Sequence, residues 1–291
     1  MSTRLVLLAA ACLTLIACSS QETVTGEQGV DMEADVSVAA PRFDADAGPV
    51  VLFDGAHQNL HTIDTGYAPF AQLLRNDGLR VSAGDSVFDE AALADVGLLV
   101  IANADAESGS AFSEEEIAAV RQYVESGGSL LLIADHMPYP LAVQDLAAAF
   151  GAEWLNVYSD NTHDGRVTRR SGDLVDDPIT GDVTRIRTFG GSCFIAPNMR
   201  PLLVAGETWS LQTESEDGDG PSPKSPANGC FIGAVAEVGE GRIAFFAEGA
   251  MFSAQILAFD GRTKLVGFNA PHAGQNRTFI LNVVHWLVGA D

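Results

Sequence analysis

Along this chain, short apolar runs alternate with segments whose apolar residues recur every three or four positions. Val50 to Phe53, LRVSAG at 79–84, VGLLVIANA at 96–104 and SLLLIAD at 129–135 read as strands. Between them, 69–76 and 114–126 have helical spacing, the second through Ile117, Val120, Tyr123 and Val124. Ser113 and Glu116 frame its start as a capping box, and Gly127-Gly128 ends it. Residues 141–150 predict another helix. Asn276 to Leu287 predicts a last one, burying Phe279, Ile280, Val283, Val284 and Leu287. Wholly apolar strands alternating with amphipathic helices imply a parallel sheet covered on both faces, an α/β architecture.

The pattern weakens from Asn156 to Ser192, which is polar and turn-rich. Strand-like runs return at 202–205, 230–237 and 242–247, and TESEDGDGPSPKSPAN at 213–228 reads as a mobile surface loop between two strands. The reading is therefore one α/β domain over 49–291, carrying an irregular insertion around 156–230. No internal repeat is present.

The amino terminus stands apart. Met1 to Arg4 is a short charged region and Leu5 to Ala17 an apolar run too short to span a bilayer comfortably, so 1–17 reads as a signal peptide. Leu15-Ile16-Ala17-Cys18 resembles the bacterial lipobox, which implies cleavage before Cys18 and a lipid on its thiol. Ser19 and Ser20 follow without an aspartate, favouring the outer membrane over the inner, with the domain in the periplasm or at the cell surface. Residues 19–48 hold Glu22, Glu27, Asp31, Glu33, Asp35, Asp44 and Asp46 against the single base Arg42, so 18–48 reads as a lipidated cysteine and disordered acidic tether. The net charge of −23 excludes nucleic acid as a partner. The partners this leaves are the membrane, through the lipid anchor, and an unknown small molecule or envelope protein. Two cysteines remain, Cys193 and Cys230. In an oxidising compartment they can pair, or they can stay as buried reduced thiols.

The pieces VVLFDGAHQN, LLVIANA, FSEEEIAAVRQYVESGGSLLLIADH and GRIAFFAEGAMFS followed by NRTFILNVVHWL resemble the class I glutamine-amidotransferase-like superfamily. They resemble in particular a branch of bacterial envelope lipoproteins, a domain of unknown function. The resemblance implies a flavodoxin-like parallel sheet with helices on both faces. In catalytic members the turn after the fourth strand holds a cysteine nucleophile in a Gly-rich elbow. Here that turn reads ADHMP, which argues against amidotransferase chemistry.

Ligands of open parallel sheets bind outside the carboxyl ends of the strands. The polar residues there are Asp54, His57 and Asn59 after the first strand, Asn103 with Asp105 after the third, and Asp135 and His136 after the fourth. Glu248 follows RIAFFA, and His272 and Asn276 precede the last helix. Asp54, His57, Asn59, Asn103, Asp135, His136, Glu248 and His272 are thus the ligand-binding candidates, with no catalytic residue assigned. His57, His61, Asp135 and His136 form a set able to hold a divalent metal, the one cofactor considered. However, His57 and His61 share a face only in a helix, and HExxH is absent. The plainer alternative is that Asp54 and His57 cap a turn, Asp135 caps the next helix and His136 packs beside Pro138. Ser253, the His163, Arg166, Arg169 and Arg170 group, and His285 are weaker candidates.

Two functional classes follow. One is a membrane-anchored ligand-binding or scaffolding lipoprotein of the envelope, without amidotransferase activity. The other is a hydrolase that uses the strand-end acids and imidazoles with a metal or by acid/base chemistry.

Overall fold

Leu98–Ala102 (β4) and Ser129–Ile133 (β5) are buried at every position, and their alternate residues enter two different cores. Val100, Ala102, Leu131 and Ile133 face one, with Phe70, Leu73 and Leu74 of Ala68–Asn76 (α1) and Phe279, Ile280 and Val283 of Asn276–Leu287 (α5). Leu99, Ile101, Leu130 and Leu132 face the other, with Val120 and Val124 of Glu114–Glu125 (α3) and Val143 and Leu146 of Tyr139–Ala149 (α4). The period of two in a strand produces this division. Each large apolar side chain buried this way contributes roughly 1.5–3 kcal/mol. A short helix, Glu90–Leu93 (α2), precedes α3, whose capping box is formed, with Ser113 and Glu116 bonding each other's backbone N–H groups.

The computed structural model describes residues 27–215, 220–259 and 261–290, with the strand pieces Thr14–Leu15 and Val24–Thr25. The lipobox cysteine, Cys18, and most of the expected signal peptide lie outside the described residues. Among the described residues no helix is long and apolar enough to cross a membrane.

The remaining strands of the main sheet are Val50–Asp54 (β2), Arg80–Gly84 (β3), Glu153–Asn161 (β6), Gly191–Ile195 (β9), Arg200–Val204 (β10), Trp209–Gln212 (β11), Ser225–Pro226 (β12), Phe231–Val238 (β13) and Gly241–Phe246 (β14). Their order is β12-β11-β6-β9-β13-β14-β5-β4-β2-β3, with β10 on β13. From β14 to β3 every pairing is parallel. From β12 to β14 every pairing is antiparallel. This mixed, 11-stranded sheet corrects the expected flavodoxin-like parallel one. An apolar run records that a strand is buried on both sides; it does not record the direction of its neighbour. The segment expected as an irregular insertion at 156–230 builds most of the antiparallel half. Arg166–Thr168 (β7) and Arg185–Arg187 (β8) form a separate two-stranded antiparallel sheet. Cys193 on β9 is bonded to Cys230, which directly precedes β13, with Cα atoms 5.9 Å apart.

The acidic amino-terminal segment is bound to the domain from residue 27 onward, which corrects that part of the disordered-tether expectation. Glu27–Val30 (β1) pairs with Ala254–Phe259 (β15), which in turn pairs with Arg262–Gly267 (β16). Asp31 N–H then donates to the Ala254 carbonyl at 2.9 Å, and the Asp31 carboxylate accepts Asn269 Nδ2 at 2.9 Å. Further on, Val36, Val38 and Phe43 pack on the first core, and Arg42 N–H donates to Asp77 Oδ1 at 2.9 Å. Three spaced apolar contacts and backbone bonds thus order a segment whose composition alone reads as unstructured.

Candidate functional site

Strands β4, β5 and β14 run parallel and end together at Asn103, Asp135 and Glu248. Asn103 is fully buried with φ at +52°, a left-handed conformation that asparagine tolerates better than most residues. Its Oδ1 accepts Asp135 N–H at 2.8 Å, and its carbonyl accepts Leu60 N–H at 3.0 Å. The first bond fixes the amide, whose Nδ2 has no partner among the described residues. Asp135 accepts His136 N–H at 2.8 Å through Oδ1 and Gly249 N–H at 3.1 Å through Oδ2. The Tyr67 hydroxyl donates to the Gly249 carbonyl at 2.8 Å. Glu248, fully buried, accepts Met251 N–H at 3.0 Å. Burial raises the pKa of Asp135, and burial together with the adjacent Asp135 raises that of Glu248 well above the carboxylate range.

Asn103 and Asp135 open on a cavity of about 490 Å³, within the size range of small-molecule sites. One wall is the parallel rim, with His61, Asp135 and His136. A second is the antiparallel half, with Tyr158, Asp160 and Asn161. A third is Arg187 to Gly190, and the last is the three-stranded sheet, with Gln28, Gln255 and Lys264. Gln28 Nε2 donates to Gln255 Oε1, tying the amino-terminal strand into that wall. His61 stacks on Tyr67 at 4.7 Å, and burial pushes its pKa down to about 4, so it is a neutral imidazole. The His136 ring lies 6.1 Å from Tyr139 and 5.7 Å from Tyr158, with its Nδ1 on the Met137 carbonyl at 2.7 Å. Arg187 donates to the Pro271 carbonyl and to Asp164 Oδ1, both at 2.8 Å, and lies over Phe189. Its buried Nε has no partner among the described residues.

His57 belongs to a different place. Its Nδ1 is 2.9 Å from both Asp54 oxygens and its Nε2 is 2.9 Å from Glu116 Oε1, with Phe88 and Phe112 beside the ring. Burial opposes its charge, but bonds and attraction from Asp54 and then Glu116 outweigh burial and raise its pKa. Asn59 Nδ2 donates to Asp54 Oδ2 at 2.8 Å. This group pins the turn after β2 to the start of α3 and does not line the cavity. The metal set His57, His61, Asp135 and His136 is therefore not assembled: both His57 nitrogens are engaged and His61 packs on Tyr67. Among the described residues no cluster of three or more His, Cys, Asp or Glu is arranged to hold an ion.

Of the other candidates, Asp105 N–H bonds the His57 carbonyl at 3.1 Å, and His272 lies outside the cavity lining. Asn276 brackets the Arg187 backbone, accepting its N–H at 2.9 Å and donating to its carbonyl at 2.7 Å. Ser253 Oγ bonds the Ala250 carbonyl at 2.8 Å, and His285 bonds Asp77. Arg169 is engaged with Asp176 and Thr180, and Arg166 Nε with the His163 carbonyl at 3.1 Å. Sequence reasoning missed Tyr139, Tyr158, Arg187 and Gln255. The alternation within EWLNVYSDN, whose Trp154, Val157, Ser159 and Asn161 are buried, was the signal available for Tyr158.

No curated protein matches this sequence. Among solved structures, the mmIFT52 N-terminal domain superposes with a TM-score of 0.62 at 15% identity, covering 82% of this chain and 97% of that one, a likeness of fold. A putative ThuA-like protein from Bacteroides uniformis gives a TM-score of 0.46 at 12% identity, over 86% of this chain and 93% of that one. One from Parabacteroides merdae gives 0.45 at 14% identity, over 82% and 89%. The expected assignment to an envelope-lipoprotein branch of the class I glutamine-amidotransferase-like superfamily is corrected by the family model that the sequence matches. Over residues 59–266 that model is Domain of unknown function (DUF4350), and the chain belongs to this family.

Proposed function

We propose that the chain is a ligand-binding module of the bacterial envelope, held at the membrane by a lipid on Cys18, which takes a small polar organic molecule into the cavity beyond β4, β5 and β14. The carrying observation is the cavity itself, about 490 Å³ at the carboxyl ends of the strands, lined by His136, Tyr139, Tyr158, Arg187 and Gln255 among apolar side chains. A concave space with a few convergent polar groups between aromatic walls suits a small molecule. Amidotransferase chemistry is unsupported: ADHMP lacks a thiol, and Cys193 and Cys230 are bonded to each other.

A second reading, an acid/base hydrolase, draws on the buried Asp135 and Glu248 carboxyls. Against it, both Asp135 oxygens accept backbone N–H groups, and Glu248 does not line the cavity.

Thermal unfolding against a library of small polar compounds tests the module. Compounds that raise Tm should lose the effect in Tyr158→Ala, which removes a partly exposed wall of the cavity. A library without a stabilising compound, or stabilisers indifferent to that change, would count against binding here. Fatty-acid labelling of cells tests the anchor, and label retained by Cys18→Ser would refute it.

A further inference from the structure

We infer that the cavity takes a small organic monoanion, a carboxylate with an otherwise apolar body, and that Lys264 receives its head. This rests on the binding-module reading and narrows it. The first ground is charge. Of the acids on the lining, Asp160 is paired with Lys224 at 3.0 Å and Asp164 with Arg187 at 2.8 Å. Asp135, the third, is buried, and its oxygens accept the N–H groups of His136 and Gly249. Burial raises its pKa and so favours the neutral carboxyl. Lys264 is exposed and has no partner among the described residues, so its ammonium is left uncompensated on the lining. The net charge of −23 belongs to the chain as a whole. Exposed charges beyond ~8 Å are largely screened at physiological ionic strength, so the lining decides.

The second ground is the set of accessible polar groups. Lys264 Nζ, the Tyr139 and Tyr158 hydroxyls and His136 Nε2 have no protein partner among the described residues, and none of them is shut away from solvent. The Met137 carbonyl can only accept, so His136 Nδ1 carries the proton of that bond and Nε2 is the nitrogen left free. Burial, reinforced by nearby acids, pushes both tyrosines up to about 12, so each hydroxyl keeps its proton. These groups are rich in donors, and a carboxylate meets donors with two acceptor oxygens.

The third ground is the face of the three-stranded sheet. Gln255, Leu257 and Phe259 alternate along β15, and the register sets Lys264 opposite Leu257 and Val266 opposite Gln255. Residues directly opposite share a face, and all five line the cavity. The ammonium therefore stands beside an apolar stripe of Leu257, Phe259 and Val266. Leu60, 36% exposed, adds apolar surface from the parallel rim. Head and body of one amphiphilic ligand are thus served side by side.

The test is calorimetric titration of the full chain carrying Cys18→Ser, with NMR on the side-chain signals of the cavity. The probes are phenylacetate and hexanoate, beside neutral phenylacetamide, cationic phenethylamine and acetate, which has the head without the body. At least one of the first two should bind saturably and shift the Tyr158 ring signals, with the other three about tenfold weaker or worse. Lys264→Gln, at an exposed position, should leave Tm unchanged and weaken the carboxylate about tenfold without altering the amide. Lys264→Arg should restore the native affinity, and Leu257→Asn should weaken the carboxylate through its body. Equal binding of the amide or the amine, or a carboxylate indifferent to Lys264→Gln, would overturn the ligand class and leave the module standing. Acetate binding as tightly as phenylacetate would show an adventitious ion only and would overturn it too. No binding of either carboxylate would also overturn the class, and the library screen would then decide the module separately.

Discussion

His57 Nε2 and Glu116 Oε1 meet at 2.9 Å although 59 positions separate them. The same Glu116 closes the α3 capping box through Oε2 and accepts Phe88 N–H at 3.1 Å through Oε1. With Asp54 on the other ring nitrogen, His57 lies between two acids that favour its protonated form. Its folded pKa lies above the ordinary 6.5, so its stabilisation is full below about pH 6.5 and is lost as pH rises through the raised value. Glu116 is the reverse. Burial pushes it up, but bonds from Ser113 and His57 prevail and hold it below 4.5, so its contribution is present above that pH and lost as pH falls. His57→Ala should cost about 3–5 kcal/mol near pH 6 by leaving two buried acids unpaired. Urea unfolding across pH, showing a smaller loss above neutrality, checks the assignment.

Glu248 makes a contrasting case. Its folded pKa is raised by burial and by Asp135, so the fold is favoured at low pH and loses stability as pH rises. Glu248→Gln keeps an oxygen for Met251 N–H and removes the charge. The variant should gain Tm relative to the native chain at pH 8 and little at pH 4. Equal Tm differences at both values would show that the carboxyl is not the source.

The Cys193–Cys230 bond closes a loop of sequence separation 37. Constraint of the unfolded chain over such a loop is worth about 2–4 kcal/mol. Urea unfolding of the Cys193→Ser/Cys230→Ser chain should show a loss in that range with a larger m-value, because the unfolded chain freed of the crosslink exposes more surface.

Two glycines mark close approaches at the strand ends. A Cβ on Gly191 would lie 2.1 Å from the Ala247 carbonyl oxygen, and one on Gly249 would lie 3.1 Å from Asp135 Oδ2 and 3.3 Å from Asn103 Nδ2. Gly191→Ala meets backbone and should cost more than about 3 kcal/mol, whereas Gly249→Ala should cost about 1–3 kcal/mol. Calorimetric Tm values in that order check the difference, and the Gly249 variant should also shift the Asn103 side-chain signals.

The α3 helix, its capping box and the buried strands β4 and β5 were legible because each is signalled by neighbours in sequence. The strand-end positions of Asn103, Asp135 and Glu248 followed from the same runs. Direction was not legible, since Phe231–Val238 reads the same beside a parallel or an antiparallel neighbour. Nor were the cavity walls. Tyr158 and Arg187 come from strands whose partners are distant, and Gln28 from a segment whose acidity masked its pairing with β15. His57 shows the converse error: an imidazole beside acids suggests a ligand site, but here both nitrogens are consumed within the protein.

The pairing of Glu27–Val30 with β15 also limits reach. Gln28 stands at the cavity wall only ten positions beyond Cys18. At full extension that length of chain spans no more than about 35 Å. With a lipid on Cys18, the binding mouth would be leashed within one domain's width of the bilayer. It would sample the solutes of that thin layer and leave the deeper compartment to proteins on longer stalks.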